Sequence, residues 1–105
     1  MHRLIYCTCP DFITAEKIAK HLIADKLAAC VNILPGVKSV YEWQGEIETA
    51  EEHLLLIKSP TARYPAIEAA IKSLHPYQLP EIIAVAIDSG SAEYLQWIDS
   101  CLSIN

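Results

Sequence analysis

Two long β-strand patterns, separated by a short connection at residues 44–45 (QG), constrain the fold more than any other feature of the sequence. Residues 31–43 alternate as a strand requires, and residues 46–58 form a second long run, so the pair predicts a β-hairpin. The dipeptide at residues 35–36 (PG) predicts a bulge or kink in the first strand. Residues 54–57 (LLLI) are apolar on both faces, which predicts a central place in the sheet.

The predicted hairpin is longer than the helix expected to cover it. A strand of thirteen residues spans about 43 Å at ~3.3 Å per residue, whereas a helix of fifteen residues covers only about 22 Å. The outer part of the hairpin still carries the apolar side chains of Val37, Val40, Tyr41, Trp43 and Ile47. Because such groups on a protruding ribbon promote aggregation unless other chains pair with them, we expect a closed, symmetric homo-oligomer.

The rest of the chain alternates between strand and helix patterns. A short apolar run predicts a buried strand, after which Asp11 or Thr14 can cap a helix. In chain order the segments are a strand at 4–9, a helix with its apolar stripe at 15–23, the hairpin, a helix at 61–74, a strand at 82–87, and a last helix after residues 89–91. The order βαββαβ followed by a helix predicts an α+β, ferredoxin-like (split βαβ) fold in a single domain, residues 1–105.

The composition argues against several classes of function. The formal net charge is −5 and the basic residues are scattered, so we expect no nucleic-acid binding. No apolar run reaches the ~20 residues of a membrane span, and the N-terminus lacks a signal-peptide pattern, so we expect no membrane association and a cytoplasmic location. In that reducing compartment the four cysteines are expected to be free thiols.

We also expect no enzymatic activity. The sequence shows no nucleophile with a recognisable base and no paired carboxylates, and its three glycines form no phosphate-binding loop. Five glutamates cluster in the hairpin, where they either attract cations weakly or simply keep the hairpin soluble. They are Glu42, Glu46, Glu48, Glu51 and Glu52.

Several motifs, taken together, resemble the CutA divalent-cation-tolerance family. The strongest are residues 27–32 (LAACVN), 35–45 (PGVKSVYEWQG) and 75–82 (HPYQLPEI), and supporting matches are residues 7–11 (CTCPD), 56–58 (LIK) and 94–98 (YLQWI). The resemblance covers nearly the whole chain and implies a ferredoxin-like fold, a tightly packed homotrimer, and binding of copper or other divalent cations. The alternative is a trimeric signalling module similar to the PII regulators, which binds a nucleotide or small anion between subunits.

Four residues are considered for a metal site. Cys7 and Cys9 stand two apart in a predicted strand, so both thiols point to the same side, about 6.6 Å apart along the backbone. Such a pair can hold a soft ion such as Cu(I), but buried cysteines also behave as small hydrophobic residues. His75 ends a helix, whose dipole favours a protonated imidazole, and the prolines that follow hold His75 and Glu81 at fixed positions. The resemblance links Cys7 to copper and makes His75 and Glu81 candidate metal ligands, with Cys7 nearby or from a neighbouring subunit.

Aromatic residues suggest a second candidate site. Tyr41, Trp43 and Tyr77 are interpreted either as interface and core aromatics or as the walls of a ligand-binding cleft between subunits. In the second case Lys58 is available to hold an anionic ligand in that cleft.

Overall fold

The computed structural model describes residues 1–103 and shows the element order that the sequence predicts. The elements are β1 (His2–Cys9), α1 (Phe12–Ala24), β2 (Cys30–Trp43), β3 (Glu46–Pro60), α2 (Tyr64–Leu74), β4 (Ile83–Ala86) and α3 (Ala92–Cys101), with a turn of 3₁₀-helix at Thr61–Arg63. The strands form one antiparallel sheet in the order β2-β3-β1-β4, which confirms the predicted α+β, ferredoxin-like fold. None of the helices in the described part is long and apolar enough to cross a membrane.

The hydrophobic core lies between the sheet and helices α1 and α2. Asp11 is the N-cap of α1, and its carboxylate accepts a hydrogen bond from the backbone N–H of Thr14 at 2.8 Å. Side chains three or four residues apart in α1 then point to the sheet, because one helical turn takes 3.6 residues. The core residues include Ile5, Cys7 and Cys9 of β1, Ala15, Ile18 and Leu22 of α1, Leu55 and Ile57 of β3, and Ile67 and Ile71 of α2. The apolar residues 54–57 lie in β3, which has β2 on one side and β1 on the other, as predicted.

Two irregularities shape the β2–β3 hairpin. Gln44 and Gly45 connect the strands with φ angles of +52° and +84°, and two positive φ values let a two-residue turn match the twist of the strands. The pairing register shifts across residues 35–36, where Gly36 has a φ of +74°. The predicted bulge is therefore confirmed, and glycine is the residue that accommodates its left-handed backbone most easily.

The hairpin extends beyond the helices that cover the sheet. Strands β2 and β3 contain 14 and 15 residues, whereas α1 contains 13, and the molecule measures 48 Å along its longest axis against 26 Å and 22 Å along the others. Residues 40–49 are all exposed, including Val40 at 65% and Ile47 at 81%. The predicted mismatch in length is confirmed, and the oligomer inferred from it stays a prediction.

Helix α3 covers part of the opposite face of the sheet. Its Ile98 is fully buried, and the ammonium group of Lys58 lies 5.6 Å from the centroid of the Tyr94 ring. Ile83 and Val85 of β4 remain about half exposed. Part of this face therefore stays uncovered within one chain.

Candidate functional site

Two cysteines and a histidine come together where β1 and α2 end. Cys7 and Cys9 lie on the core face of β1, because side chains two residues apart in a strand share a face. His75 is the residue at which α2 ends. The donor atoms of these three buried side chains lie within 4.8 Å of one another. We call these three residues the Cys/His cluster.

Hydrogen bonds fix the orientation of the His75 ring. Its Nδ1 accepts a hydrogen bond from the backbone N–H of Tyr77 at 3.1 Å, and its Nε2 lies 2.7 Å from the carbonyl oxygen of Thr8. Because Nδ1 acts as an acceptor, the ring proton is on Nε2, which donates to Thr8. The ring is therefore held against β1.

The two thiols of the cluster differ in how readily they lose a proton. Side-chain hydrogen bonding to Cys9, followed by burial, raises the pKa of the Cys7 thiol, while the hydrogen bond from Cys7 lowers the pKa of the Cys9 thiol. A single negative charge is therefore more stable on Cys9, and Cys7 keeps its proton. Since metal ions bind thiolates, an ion held by both sulfurs must displace the proton of Cys7.

The cluster has the chemistry, and nearly the spacing, of a metal site. Thiolate and imidazole ligands lie about 2.0–2.3 Å from a metal ion, so the donor atoms around one ion are about 3.5–4 Å apart. The cluster atoms, within 4.8 Å of one another, need to move only slightly closer. Two sulfurs and a nitrogen form a soft ligand set, which suits copper or zinc better than magnesium or calcium. Both nitrogens of His75 are hydrogen-bonded, so metal binding must replace one of those bonds.

An open cleft of about 590 Å³ adjoins the cluster at Thr8 and Tyr77. The ring centroid of Tyr77 lies 4.7 Å from that of His75, and the Tyr77 hydroxyl donates to the carboxylate of Glu52 at 2.8 Å. Burial and the hydrogen bond to Glu52 raise the pKa of Tyr77, so its hydroxyl remains a donor. Other residues that line the cleft include Ser39, Tyr41, Trp43 and Glu81.

The structure brings together two of the three residues predicted to hold a metal ion. Cys7 and His75 belong to the Cys/His cluster, whereas Glu81 is exposed and lines the cleft. The hydrogen bond to Cys9, burial and the charge of Cys9 raise the pKa of Cys7 most, and the negative charges of Glu81 and Glu52 raise it further. The third donor is Cys9, which the strand spacing places beside Cys7 but which the family resemblance does not single out.

Three of the four residues predicted to line a ligand cleft between subunits line this cleft within one chain, and the cleft between subunits stays a prediction. Tyr41, Trp43 and Tyr77 share the cleft, while Lys58 is not among its lining residues and lies over Tyr94 instead. The cation expected to hold an anionic ligand is therefore elsewhere on the sheet.

Glu52 is the cleft residue that sequence reasoning missed. It belongs to the acidic run in the hairpin, yet it is only 5% exposed and accepts the hydrogen bond from Tyr77. The available signal is the two-residue period of β3, which places Glu52 on the same face as Leu54. That period does not predict that the loop containing Tyr77 folds over the same face.

Comparison with known proteins gives consistent matches over most of the chain. One family model, described as CutA1 divalent ion tolerance protein, matches residues 3–101. The divalent-cation tolerance protein CutA of Thermus thermophilus is 46% identical over 98 residues, which are 93% of this chain and 95% of that relative. The human protein CutA is 41% identical over 93 residues, which are 89% of this chain but 52% of the human protein.

Solved structures of CutA proteins also superpose closely on this chain. CutA from Xylella fastidiosa superposes with a TM-score of 0.95 and 47% identity, covering 97% of this chain and 98% of the other. The structure described as the periplasmic divalent cation tolerance protein CutA from Archaeoglobus fulgidus has a TM-score of 0.95 and 42% identity, covering 98% and 100%. With such coverage, the similarity includes strand β1 and the loop after α2, where the Cys/His cluster lies.

Proposed function

The chain belongs to the CutA1 divalent ion tolerance family, and from that premise we propose that it binds copper or another divalent metal ion and acts in the response to such ions. The observation that carries the proposal is the Cys/His cluster, with its three buried donor atoms within 4.8 Å of one another. Within residues 1–103 it is the one group of three or more His, Cys, Asp or Glu side chains with that spacing. The names of relatives associate those proteins with divalent cations.

The residues of the cluster have different roles in this proposal. Cys7 and Cys9 supply sulfur ligands, and His75 supplies a ring nitrogen in place of one of its present hydrogen bonds. Glu81 lies at the adjoining cleft, where its negative charge favours the approach of a cation. Copper is the preferred ion because thiolates select Cu(I) and imidazole binds copper well.

The proposed assembly is a homotrimer. Its support is the apolar surface that one chain leaves uncovered, with Val40 and Ile47 on the hairpin and Ile83 and Val85 on β4. A closed ring of three chains can cover these surfaces, and the number three comes from the family resemblance. Sedimentation equilibrium should give a mass of three 11.7 kDa chains, and a folded monomer at micromolar concentration would contradict the assembly.

The proposal also places the protein in the cytoplasm and assigns it no catalytic activity. All four cysteines are free, which suits a reducing compartment. Cell fractionation with an antibody against the chain tests the location, and recovery in an oxidising compartment would contradict it.

A copper titration tests the metal site. The purified protein is titrated with Cu(I) in competition with a chromophoric chelator, and separately with Cu(II). We expect about one ion per chain, with affinity lowered more than tenfold in Cys7→Ser, Cys9→Ser and His75→Gln, because each removes one of three ligands. Equal copper uptake by the wild type and these variants would show that the cluster is not the site.

Two further variants act as controls. Cys101→Ser removes a thiol from α3, outside the cluster, and should leave copper binding unchanged. Glu81→Gln should weaken binding less than the three cluster variants, because the carboxylate acts through its charge. A loss in Glu81→Gln as large as that in His75→Gln would make Glu81 a direct ligand, as the family resemblance implies.

A further inference from the structure

Polar side chains without a hydrogen-bond partner gather at one end of the sheet. Within residues 1–103, three of the four buried side-chain atoms that lack a partner are Nη1 of Arg3, the hydroxyl oxygen of Ser59 and the hydroxyl oxygen of Thr61. Arg3 in β1 pairs with Ser59 in β3, and the backbone N–H of Thr61 donates to the carbonyl oxygen of Met1 at 2.9 Å. The three side chains therefore come from one small region, and we call Arg3, Ser59 and Thr61 the donor cluster.

Arg3 and Ser59 lie on the face of the sheet that carries the hydrophobic core. Side chains two residues apart in a strand share a face, so Arg3 is on the side of Ile5 and Ser59 is on the side of Ile57, both of which are core residues. Residues directly opposite in an antiparallel pair have Cβ atoms about 4.5–5.5 Å apart. The hydroxyl of Ser59 therefore lies beside the side chain of Arg3.

All three side chains of the donor cluster can donate hydrogen bonds. The guanidinium of Arg3 stays charged and cannot accept a hydrogen bond, while the two hydroxyls can do both. Ser59 has no exposed surface, and a buried polar group without a partner costs free energy. The five ion pairs of the described chain include neither Arg3 nor Arg63. The cluster thus combines a positive charge with donors that no carboxylate of the described residues binds.

The start of the next helix adds further donors. The 3₁₀ turn at Thr61–Arg63 runs directly into α2, neither has a side-chain cap at its N-terminus, and the first turn contains no acidic residue. The first N–H groups of a helix have no partner within it, and the helix dipole places partial positive charge there. Arginine, hydroxyls and a helix N-terminus are the groups with which proteins bind phosphate.

The donor cluster lies away from the surfaces that are left for contacts between chains. Ser59 is at the end of β3 remote from the turn at 44–45, and Arg3 pairs with Ala86, which faces away from the exposed Val85 of β4. Because the three unpartnered atoms have almost no accessible surface within one chain, the folded surface of a second copy cannot reach them. Arg3 as a whole is only partly buried, so a small ion can enter once its flexible side chain turns.

We propose that the donor cluster binds a phosphate group, either as the free ion or as the end of a small organic phosphate. Arg3, Ser59 and Thr61 donate to its oxygens, together with N–H groups at the start of α2. Phosphate suits this arrangement better than a carboxylate, because it offers at least three oxygens that do not lie in one plane with its bond to the rest of the molecule. The cluster is at the opposite end of β1 from Cys9, so the proposal does not depend on metal binding.

Nuclear magnetic resonance of the intact, ¹⁵N-labelled protein tests the proposal. Inorganic phosphate should shift the backbone amide signals of residues 61–63 in a saturable way, while those of residues 46–49 in the outer hairpin serve as an internal reference. Potassium chloride at matched ionic strength and potassium acetate should leave both groups of signals unchanged. Methyl phosphate distinguishes the two sources of the group: binding as tight as that of inorganic phosphate indicates an organic phosphate, and weaker binding indicates the free ion.

Three variants locate the groups that hold the phosphate. Arg3→Gln removes the charged donor and should weaken phosphate binding more than about tenfold. Ser59→Ala removes one neutral donor and should weaken it about fivefold. Lys20→Gln removes an equal positive charge from an exposed position of α1 and should change the affinity less than about twofold, because exposed charges at a distance are screened.

Thermal unfolding separates a ligand site from a purely structural role of Ser59. In chloride buffer, Ser59→Ala should be as stable as the wild type or more stable, because it removes a buried hydroxyl that lacks a partner. Added phosphate should raise the unfolding temperature of the wild type more than that of Ser59→Ala and Arg3→Gln.

Three results would overturn the proposal. The first is an equal response of residues 61–63 to phosphate and to chloride at the same ionic strength. The second is equal phosphate affinity in Arg3→Gln and Lys20→Gln. The third is a loss of stability in Ser59→Ala without phosphate, as expected if an internal water already bonds this hydroxyl. None of these results bears on copper binding, so the two proposals fail independently.

Discussion

The two halves of the β2–β3 hairpin follow the same local rules but lie in different surroundings. Both pair as antiparallel strands with side chains alternating between two faces. Near the helices, Leu55, Ile57 and Ser59 of β3 have no exposed surface, whereas residues 40–49 around the turn are exposed throughout. Alternation decides which side chains share a face, and only the rest of the fold decides whether that face is covered.

This difference separates the roles of the two halves. The half near the helices forms a dry core together with β1, and the Cys/His cluster lies in that core. The outer half supplies Tyr41 and Trp43 to the open cleft and leaves the apolar side chains of Val40 and Ile47 exposed. The following predictions test whether stability resides in the covered half and association in the exposed half.

The largest effect is expected from a truncation in the covered half. Leu55→Ala leaves a cavity in a site with no exposed surface and should lower the free energy of unfolding by about 3 kcal/mol. Urea denaturation measures this loss, which should be the same at every protein concentration. Ile47→Ala is the matched truncation in the exposed half, and any loss there should depend on protein concentration. Equal, concentration-independent losses would remove the distinction between the halves.

The next effect concerns association. Ile47→Asp places a charge on a side chain that is 81% exposed within one chain, so the subunit should stay folded. If other chains cover this position, the loss of apolar contact should weaken association by about 2 kcal/mol per chain. Sedimentation velocity over a range of concentrations measures this, with Glu46→Gln as a polar control in the same strand. An unchanged assembly would exclude this end of the hairpin from the interface.

A smaller effect is expected at the turn. Gly45 has a φ of +84° and open space around its Cα, so Gly45→Ala meets only the backbone penalty and should cost about 1 kcal/mol. Gly90→Ala is the control, because Gly90 lacks a positive φ and an added methyl group would make an ordinary 3.6 Å contact with Leu95. Thermal unfolding measures the loss of stability in the two variants. An equal loss in both would show that the positive φ of Gly45 is not the source of the cost.

The smallest effect is expected at the N-cap of α1, which covers the buried half. Hydrogen bonds from Thr14 lower the pKa of Asp11 from 3.8, so the ionised carboxylate stabilises the fold above pH 3.8. This stabilisation is lost as the pH falls through the lowered pKa. Asp11→Ala should therefore unfold at a lower temperature than the wild type near neutral pH, and the difference should shrink in acid. A difference that does not change with pH would exclude the charge as its source.

Local patterns were sufficient to predict the strands, the bulge at residues 35–36, the turn and the shared side of Cys7 and Cys9. These features depend on the two-residue period of a strand and on the few conformations that glycine and proline favour. Part of the candidate site follows from the same rules, because a period of two places both thiols on the same side of β1.

The remaining features of the site depend on contacts between distant segments. The bond from His75 to Thr8 joins residues far apart in sequence, and no local pattern indicates which way the imidazole turns. The positions of Glu81 and Lys58 relative to the site were not predictable for the same reason. They depend on how the loop after α2 packs near Glu52 and how helix α3 packs over Lys58.

X-ray absorption spectroscopy of the copper-loaded protein tests most directly whether a metal ion binds at Cys7, Cys9 and His75. We expect about two sulfur scatterers near 2.3 Å and one nitrogen near 2.0 Å, the distances that thiolates and imidazole keep from a comparable ion. Cys9→Ser should lose one sulfur scatterer. A copper shell of oxygen and nitrogen alone, unchanged in Cys9→Ser, would contradict the account.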